Sequence, residues 1–241
     1  MAKIVVFDSG LGSLSVIGPI QKRISADVIY FADQKNYPYG TKTVSQLDRI
    51  IKNTVAKMQE EFNPDMIVVG SNTPSLLLDI DKGNVIGVIP PLKEAAAKTR
   101  SRKIGILATR TVTRSKILDE YIRKNVPDGI NVTKINATPL VDLVESGRFI
   151  SQKQKSEETI LEIIGPHVED KIDVFTLSST HLPFLLPNLK KLFPGITFLD
   201  PADAVVQRIS KLLKGKTGRS RLTIYSSGDI RKFQQQLGKI R

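Results

Sequence analysis

Ile67-Val68-Val69-Gly70-Ser71-Asn72-Thr73 and Val174-Phe175-Thr176-Leu177-Ser178-Ser179-Thr180-His181 share one pattern, an apolar run that ends in consecutive polar residues. Runs this short and this apolar read as strands buried on both faces, as in a parallel sheet covered by helices. Ligands in such sheets bind beyond the C-terminal strand ends, which is where the polar residues fall. Similar runs occur at Lys3–Phe7, Val28–Ala32, Met66–Gly70, Val85–Val88, Lys103–Ala108, Asn131–Asn136, Val174–Leu177, Ile196–Leu199 and Leu222–Tyr225. Amphipathic stretches separate them. Val44–Phe62 carries Val44, Leu47, Ile50, Ile51, Val55 and Met58 on one helical side, and a second long helix is predicted over Ser156–Val168, after the polar stretch Ser151–Lys155.

This alternation predicts an α/β protein of two pseudo-symmetric α/β lobes with mainly parallel sheets and an active-site cleft between them. Each half begins with a strand entering a Ser/Thr/Gly-rich turn, Phe7-Asp8-Ser9-Gly10 and Leu107-Ala108-Thr109-Arg110, and later contains one of the two opening segments. That parallel organisation points to an internal duplication. The basic run at Lys98–Lys103 marks a boundary, because few buried contacts cross so polar a stretch. Residues 1–97 with a returning segment 208–241 then form the first lobe, and 98–207 the second.

Composition narrows the chemistry. The 241 residues include no cysteine, which removes disulfides, thiol nucleophiles, thiolate metal ligands and iron–sulfur clusters. No apolar run approaches the roughly 20 residues of a membrane span, so no membrane association is expected. The N-terminus is too short in its apolar part for a signal peptide, and a cytoplasmic location is the expectation. Lys and Arg total 36 against 24 Asp and Glu, a net charge of +12. The charge concentrates around Lys93–Lys124 and Lys211–Arg241, segments with few aromatics to stack on bases. A nucleic-acid partner is compatible with this balance but not favoured over a solvated basic surface.

Four segments carry chemistry-bearing residues. Asp8-Ser9-Gly10-Leu11-Gly12-Ser13 follows a strand and opens a helix, but Ser15 occupies the place of the third glycine of a dinucleotide fingerprint, so no nicotinamide cofactor is expected. The turn suits an anion such as a carboxylate, or is a plain strand–helix connection with Asp8 or Ser9 as N-cap. Asn36-Tyr37-Pro38-Tyr39-Gly40-Thr41 is a loop offering the Tyr39 hydroxyl. Ser71-Asn72-Thr73 and Ser179-Thr180-His181 complete the set. With His167 and His181 the only histidines, and His167 in a charged helical context, no metal site is expected. Ser71 or Ser179 with His181 and Asp8 has the residue types of a hydrolase triad, although no G-x-S-x-G elbow is present.

In order along the chain, these segments resemble the glutamate racemase family of the aspartate/glutamate racemase superfamily. FDSGLGSLSV is similar to its DSGxGGLSV, YFADQKNYPYG to its aspartate-then-PYG segment, and VVGSNTPS to its VVACNTAS. VIGVIPP is similar to VIGVIEP, GILATRTVTRS to an ATxxTxxS segment, ATPLVDLVESG to ACPLFVPLVEEG, and LSSTHLPFL to LGCTHYPLL. The resemblance implies two α/β lobes, no cofactor, a small carboxylate or amino-acid ligand, and a homodimer as a compatible assembly. It implies a reaction in which one cysteine thiolate removes the substrate Cα proton and a second thiol returns one from the opposite face.

By motif the two cysteine positions fall on Ser71 and Ser179. The substrate-lining positions fall on Asp8, Ser9, Tyr39, Gly40, Asn72, Thr73, Thr180 and His181, with Asp8 and His181 also assisting the two thiols. The binding set is retained while both acid/base groups are replaced. Neighbouring departures, Pro74 for Ala, Ser178 for Gly, Leu182 for Tyr and Thr138 where Cys is frequent, point to natural divergence rather than an engineered Cys→Ser pair. The expectation is an acidic amino acid (glutamate or aspartate) racemase scaffold with weak or lost racemase activity. The alternatives are an active enzyme of changed reaction, such as a decarboxylase, isomerase or hydrolase using Ser, His and Asp, and a non-enzymatic protein binding nucleic acid or a DNA-associated partner.

Overall fold

A computed structural model describes residues 1–78 and 80–238. The strands are β1 (Lys3–Asp8), β2 (Asp27–Ala32), β3 (Met66–Val69), β4 (Val85–Gly87), β5 (Lys103–Ala108), β6 (Asn131–Asn136), β7 (Val174–Ser178), β8 (Thr197–Leu199) and β9 (Leu222–Ser226). Every apolar run read as a strand is one, within one or two residues at either end. They form two sheets, β4-β3-β1-β2-β9 and β6-β5-β7-β8, with every ladder parallel. The described chain divides into two compact units, Met1–Val88 together with Ala202–Gly238, and Ile89–Pro201.

Within each sheet the first four strands of the unit follow one order, second-first-third-fourth: β2-β1-β3-β4 in the first unit and β6-β5-β7-β8 in the second. An order of this kind reverses direction between the first and third strands, and the crevice beyond their C-terminal ends is where doubly wound sheets take ligands. In the first unit those ends are Asp8 and Val69, with Phe7 paired to Val69. In the second they are Ala108 and Ser178, paired with each other. The repeated order places Ile67–Thr73 and Val174–His181 at equivalent points of the two sheets.

Central strands are buried along their length, as in a sheet covered on both faces, whereas the edge strands β6 and β9 leave nearly all of their side chains half-buried or exposed. The Val44–Phe62 helix starts at a capping box in which Gln46 N–H donates to Thr43 Oγ1 (3.2 Å) and Thr43 N–H donates to Gln46 Oε1 (3.0 Å). It buries Leu47, Ile51, Thr54 and Met58; Val44, at its first residue, is exposed. The second long helix begins at Lys153, three residues before the expected start, so most of the polar stretch read as a lead-in is helical. Ser156 is buried there, its hydroxyl donating to Gln152 O (2.9 Å).

The run Thr99–Lys103 belongs to the second unit through one carboxylate. Asp173 accepts from Thr99 Oγ1 (2.6 Å), Arg100 N–H (2.7 Å), Ser101 N–H (3.0 Å) and Ser101 Oγ (2.9 Å). Partial burial pushes its pKa up, but these hydrogen bonds outweigh it and hold the carboxyl below the usual range. The Leu92–Lys98 helix is also part of that unit, with Ala95 packed on Ile104, Val174 and Leu199. The compact second unit thus starts at Ile89, before the basic run at which the sequence suggested a boundary. Among the described residues no helix is long and apolar enough to cross a membrane.

Candidate active site

In the first unit β1 delivers Asp8 and Ser9 in buried positions, and Ser9 N–H donates to Asp8 Oδ1 (2.7 Å). The following helix is Leu14–Arg23 with Ser13 at its N-cap position, so neither Asp8 nor Ser9 is the cap; the glycine-rich turn lies between them and the helix. Tyr30, buried on β2, holds that turn by donating its hydroxyl to Gly10 O (2.5 Å). Next to β1, β2 ends at Ala32, and Asp33 N–H donates to Asp8 O (2.7 Å).

Asp33 organises Tyr39. Its Oδ2 accepts from the Tyr39 hydroxyl (2.8 Å), Asn36 Nδ2 donates to both oxygens (3.0 and 2.8 Å), and Ser227 Oγ donates to Oδ1 (3.2 Å). Tyr39 N–H in turn donates to Ser9 Oγ (3.3 Å), which joins the loop to the β1 end. Gly40 follows in the same short turn, with open space where a Cβ would stand. In sequence Asp33 is only the aspartate of the family-like YFADQKNYPYG segment, and the convergence of donors on it is visible only in the fold.

Burial, followed by the negative charges of Asp33 and Asp8, raises the Tyr39 pKa well above its ordinary value. A raised folded-state value stabilises the protein at pH below the unfolded value of about 10, and this contribution is lost as pH climbs through the folded value. In an alkaline titration read at 295 nm, Tyr39→Phe is therefore expected to remove one tyrosine from the set that ionises only with unfolding. Losing the bond to Asp33 is expected to cost about 1–3 kcal/mol in denaturant titration.

At the end of β3, Ser71 is half-buried and occupies the N-cap position of the short Asn72–Leu77 helix without capping it. Its hydroxyl makes no hydrogen bond among the described residues, and its carbonyl accepts from Ser75 Oγ (2.6 Å). Asn72 is 3% exposed; its Nδ2 donates to Val88 O (3.0 Å), while Oδ1 is buried with no hydrogen-bond partner among the described residues. Thr73 is buried beside it, and Pro74 sits in the first helical turn, where its missing N–H is tolerated.

In the second unit β7 delivers Ser179, Thr180 and His181. Ser179 and Thr180 are buried. His181 Nε2 lies 2.6 Å from Glu145 Oε2, with the two side chains 12% and 14% exposed, and His181 Nδ1 lies 3.5 Å from Ser179 Oγ. A carboxylate only accepts, so Nε2 carries the proton toward Glu145, which leaves Nδ1 of a neutral ring as the acceptor facing the Ser179 hydroxyl. The geometry is that of a serine with an oriented base.

The sequence does not single out Glu145, which the fold brings to His181. Its signal was present in ATPLVDLVESG, but the pairing joins positions 36 apart in sequence. Ser178, in place of glycine, shares a buried 2.9 Å hydrogen bond with Thr176. Leu182, in place of tyrosine, is core, packed among Leu140, Leu185 and Leu189. At the end of β6, Thr138 Oγ1 donates to Asn136 Oδ1 (2.7 Å) and accepts from Arg110 N–H (3.0 Å), so a hydroxyl ties two loops together at that position.

The Asp/Glu/Hydantoin racemase family matches residues 11–209. Glutamate racemase from Limosilactobacillus reuteri (strain DSM 20016) is 33% identical over 239 residues, covering 94% of this chain and 88% of its own. Glutamate racemase isoform RacE1 of Bacillus anthracis shares the fold, with a TM-score of 0.84 at 24% identity over 98% of this chain and 94% of its own. Escherichia coli glutamate racemase, solved with L-glutamate and the activator UDP-MurNAc-ala, has a TM-score of 0.82 at 26% identity over 99% of this chain and 95% of its own. With the strand ends, their order and these likenesses in agreement, the chain belongs to the Asp/Glu/hydantoin racemase family and is similar in sequence and fold to its glutamate racemases.

Proposed function

We propose that this protein is a cofactor-independent glutamate-racemase-like scaffold of the cytoplasm that binds an acidic amino acid, glutamate or aspartate, and whose racemase activity is weak or lost. One observation carries the binding half of this reading. Asn72 Oδ1 is buried without a hydrogen-bond donor among the described residues, at the strand end where a ligand is expected. A buried polar atom left without a partner costs roughly 1–3 kcal/mol, and the ammonium group of an amino acid supplies the donor it lacks. The Tyr39–Ser9 network and the backbone of the Asp8–Ser13 turn suit its carboxylates.

The activity half rests on proton affinity. An alcohol is about as hard to ionise as water, roughly 7 units harder than a thiol, or about 10 kcal/mol. Nothing among the described residues, Asp8 included, hydrogen-bonds to the Ser71 hydroxyl, so no base is engaged with it as Glu145–His181 is with Ser179. On the other side the Glu145–His181 pair beside Ser179 favours a second reading, an enzyme that moves a proton on one face only, with His181 as the base. Both readings require the ligand. In thermal unfolding, saturating L-glutamate, D-glutamate or L-aspartate is expected to stabilise the protein, by about 2.7 kcal/mol at a hundredfold excess over Kd. Asn72→Ala is expected to abolish that stabilisation; no shift with any of the three would overturn the assignment.

A further inference from the structure

We propose that the groove beside the Val44–Phe62 helix is a second binding site, for a small polyvalent oxyanion carrying phosphate or carboxylate groups; the inference does not depend on the function proposed above. The groove encloses about 500 Å³ within the first unit, and Arg49, Asn53, Lys57, Phe31 and Asp33 line it. Arg49, Asn53 and Lys57 stand four residues apart, on one helical face at intervals of about 6 Å. Lys52 is paired with Asp48 at 2.7 Å, whereas Lys57 makes only a loose, exposed 3.6 Å contact with Glu61 and holds its ammonium 5.2 Å over the Phe31 ring in the groove wall. The exposed Arg49 has neither an ion pair nor a hydrogen bond among the described residues, and the same holds for the Asn53 amide.

Asp33 is the one carboxylate in the lining, and it offers these cations no competing partner. Its two oxygens already accept four hydrogen bonds, two from Asn36 and one each from Tyr39 and Ser227, which fills the lone pairs of a carboxylate. With Arg49 and Lys57 against Asp33, two cations face one carboxylate in the lining, and the wall presents a planar guanidinium fork and an amide, the donor set that recognises oxyanions. Arg49 and Lys57 are about 12 Å apart along the helix, too far for one anionic group to bridge, so the groove selects a ligand with separated negative charges.

The test is calorimetric titration of the full chain with tripolyphosphate and, separately, citrate at 0.15 M salt, where diffuse attraction to a +12 surface is largely screened. Saturable one-to-one binding of either is expected, and the tighter of the two identifies phosphate or carboxylate as the group recognised. Arg49→Gln is expected to weaken it at least about tenfold, and Lys57→Gln several-fold. Lys211→Gln with Lys214→Gln, exposed cations outside the groove, should leave it unchanged. Unchanged melting temperatures will show that these surface variants fold. No saturable binding of either probe, or equal weakening by the groove and control variants, would overturn the proposal.

Discussion

Restoring both thiols, Ser71→Cys with Ser179→Cys, is expected to raise interconversion of D- and L-glutamate at least about 100-fold over the parent chain. The thiol removes most of the roughly 10 kcal/mol ionisation handicap of an alcohol. Proton transfer in the transition state is partial, so only part of that figure reaches the barrier, at about 1.4 kcal/mol per factor of ten. The surroundings favour success. At position 179 the His181 ring, with Glu145 on its far nitrogen, already faces the side chain at 3.5 Å. At position 71 a thiol displaces no hydrogen bond made by the serine hydroxyl.

Single variants divide the work. Ser179→Cys alone is expected to exchange the Cα proton of one enantiomer with solvent and to invert little of it, because the proton returns to the face it left. Chiral chromatography follows inversion, and proton NMR in deuterated water follows exchange. A double variant that binds glutamate yet stays inert would show that Pro74, Ser178 and Leu182 reshaped the site beyond its acid/base groups.

The second large effect concerns how the first half of the site is packed. Gly70, where the family's similar segment has alanine, lies against Ser13, where the family's segment has glycine; an ideal Cβ on Gly70 would stand 2.5 Å from Ser13 Cβ and 3.2 Å from Phe7 O. The two positions have exchanged a side chain across one contact. Gly70→Ala is therefore expected to cost about 2–3 kcal/mol, the scale of overpacking in a tight core, in denaturant unfolding. Ser13 is fully buried, with a hydroxyl that has no partner among the described residues, so Ser13→Gly removes an unsatisfied group along with the obstruction.

Ser13→Gly combined with Gly70→Ala should recover at least about 1.5 kcal/mol of the loss, a coupling energy of the kind contacting residues show. Additive effects in the double-mutant cycle would mean that the contact is not what limits position 70. The pair also bears on the thiol experiment. Gly70 immediately precedes Ser71, so the serine at the family's cysteine position came with a repacked neighbour, which is divergence of a whole strand end rather than of one atom.

Much of the architecture could be read from the chain because buried parallel strands are short, apolar and bounded by polar residues, and β1, β3, β5 and β7 all obey that pattern. Asp8, Ser9, Ser71, Asn72 and Thr73 lie at strand ends in the first unit and Ser179, Thr180 and His181 in the second, while Tyr39 stands in a loop tied to the β1 end through Ser9. What escaped sequence reading depends on contacts between distant positions. Asp33 looks like any loop aspartate until four donors converge on it. Glu145 becomes meaningful only when His181 is brought to it. Lys98–Lys103 reads as a linker because its polarity is visible, whereas the Asp173 carboxylate that anchors it is 70 or more residues away. The early start of the Lys153–Glu169 helix was hidden because Lys153, Gln154 and Lys155 carry no apolar periodicity.

The central claim, a retained amino-acid site without its two-thiol acid/base pair, is tested most directly by incubating the unmodified protein with L-glutamate in deuterated water and following the Cα proton by NMR. At protein and ligand concentrations where thermal stabilisation shows the site to be filled, the account predicts no D-glutamate and Cα exchange that is absent or slow. Rapid Cα exchange with accumulation of D-glutamate would contradict it.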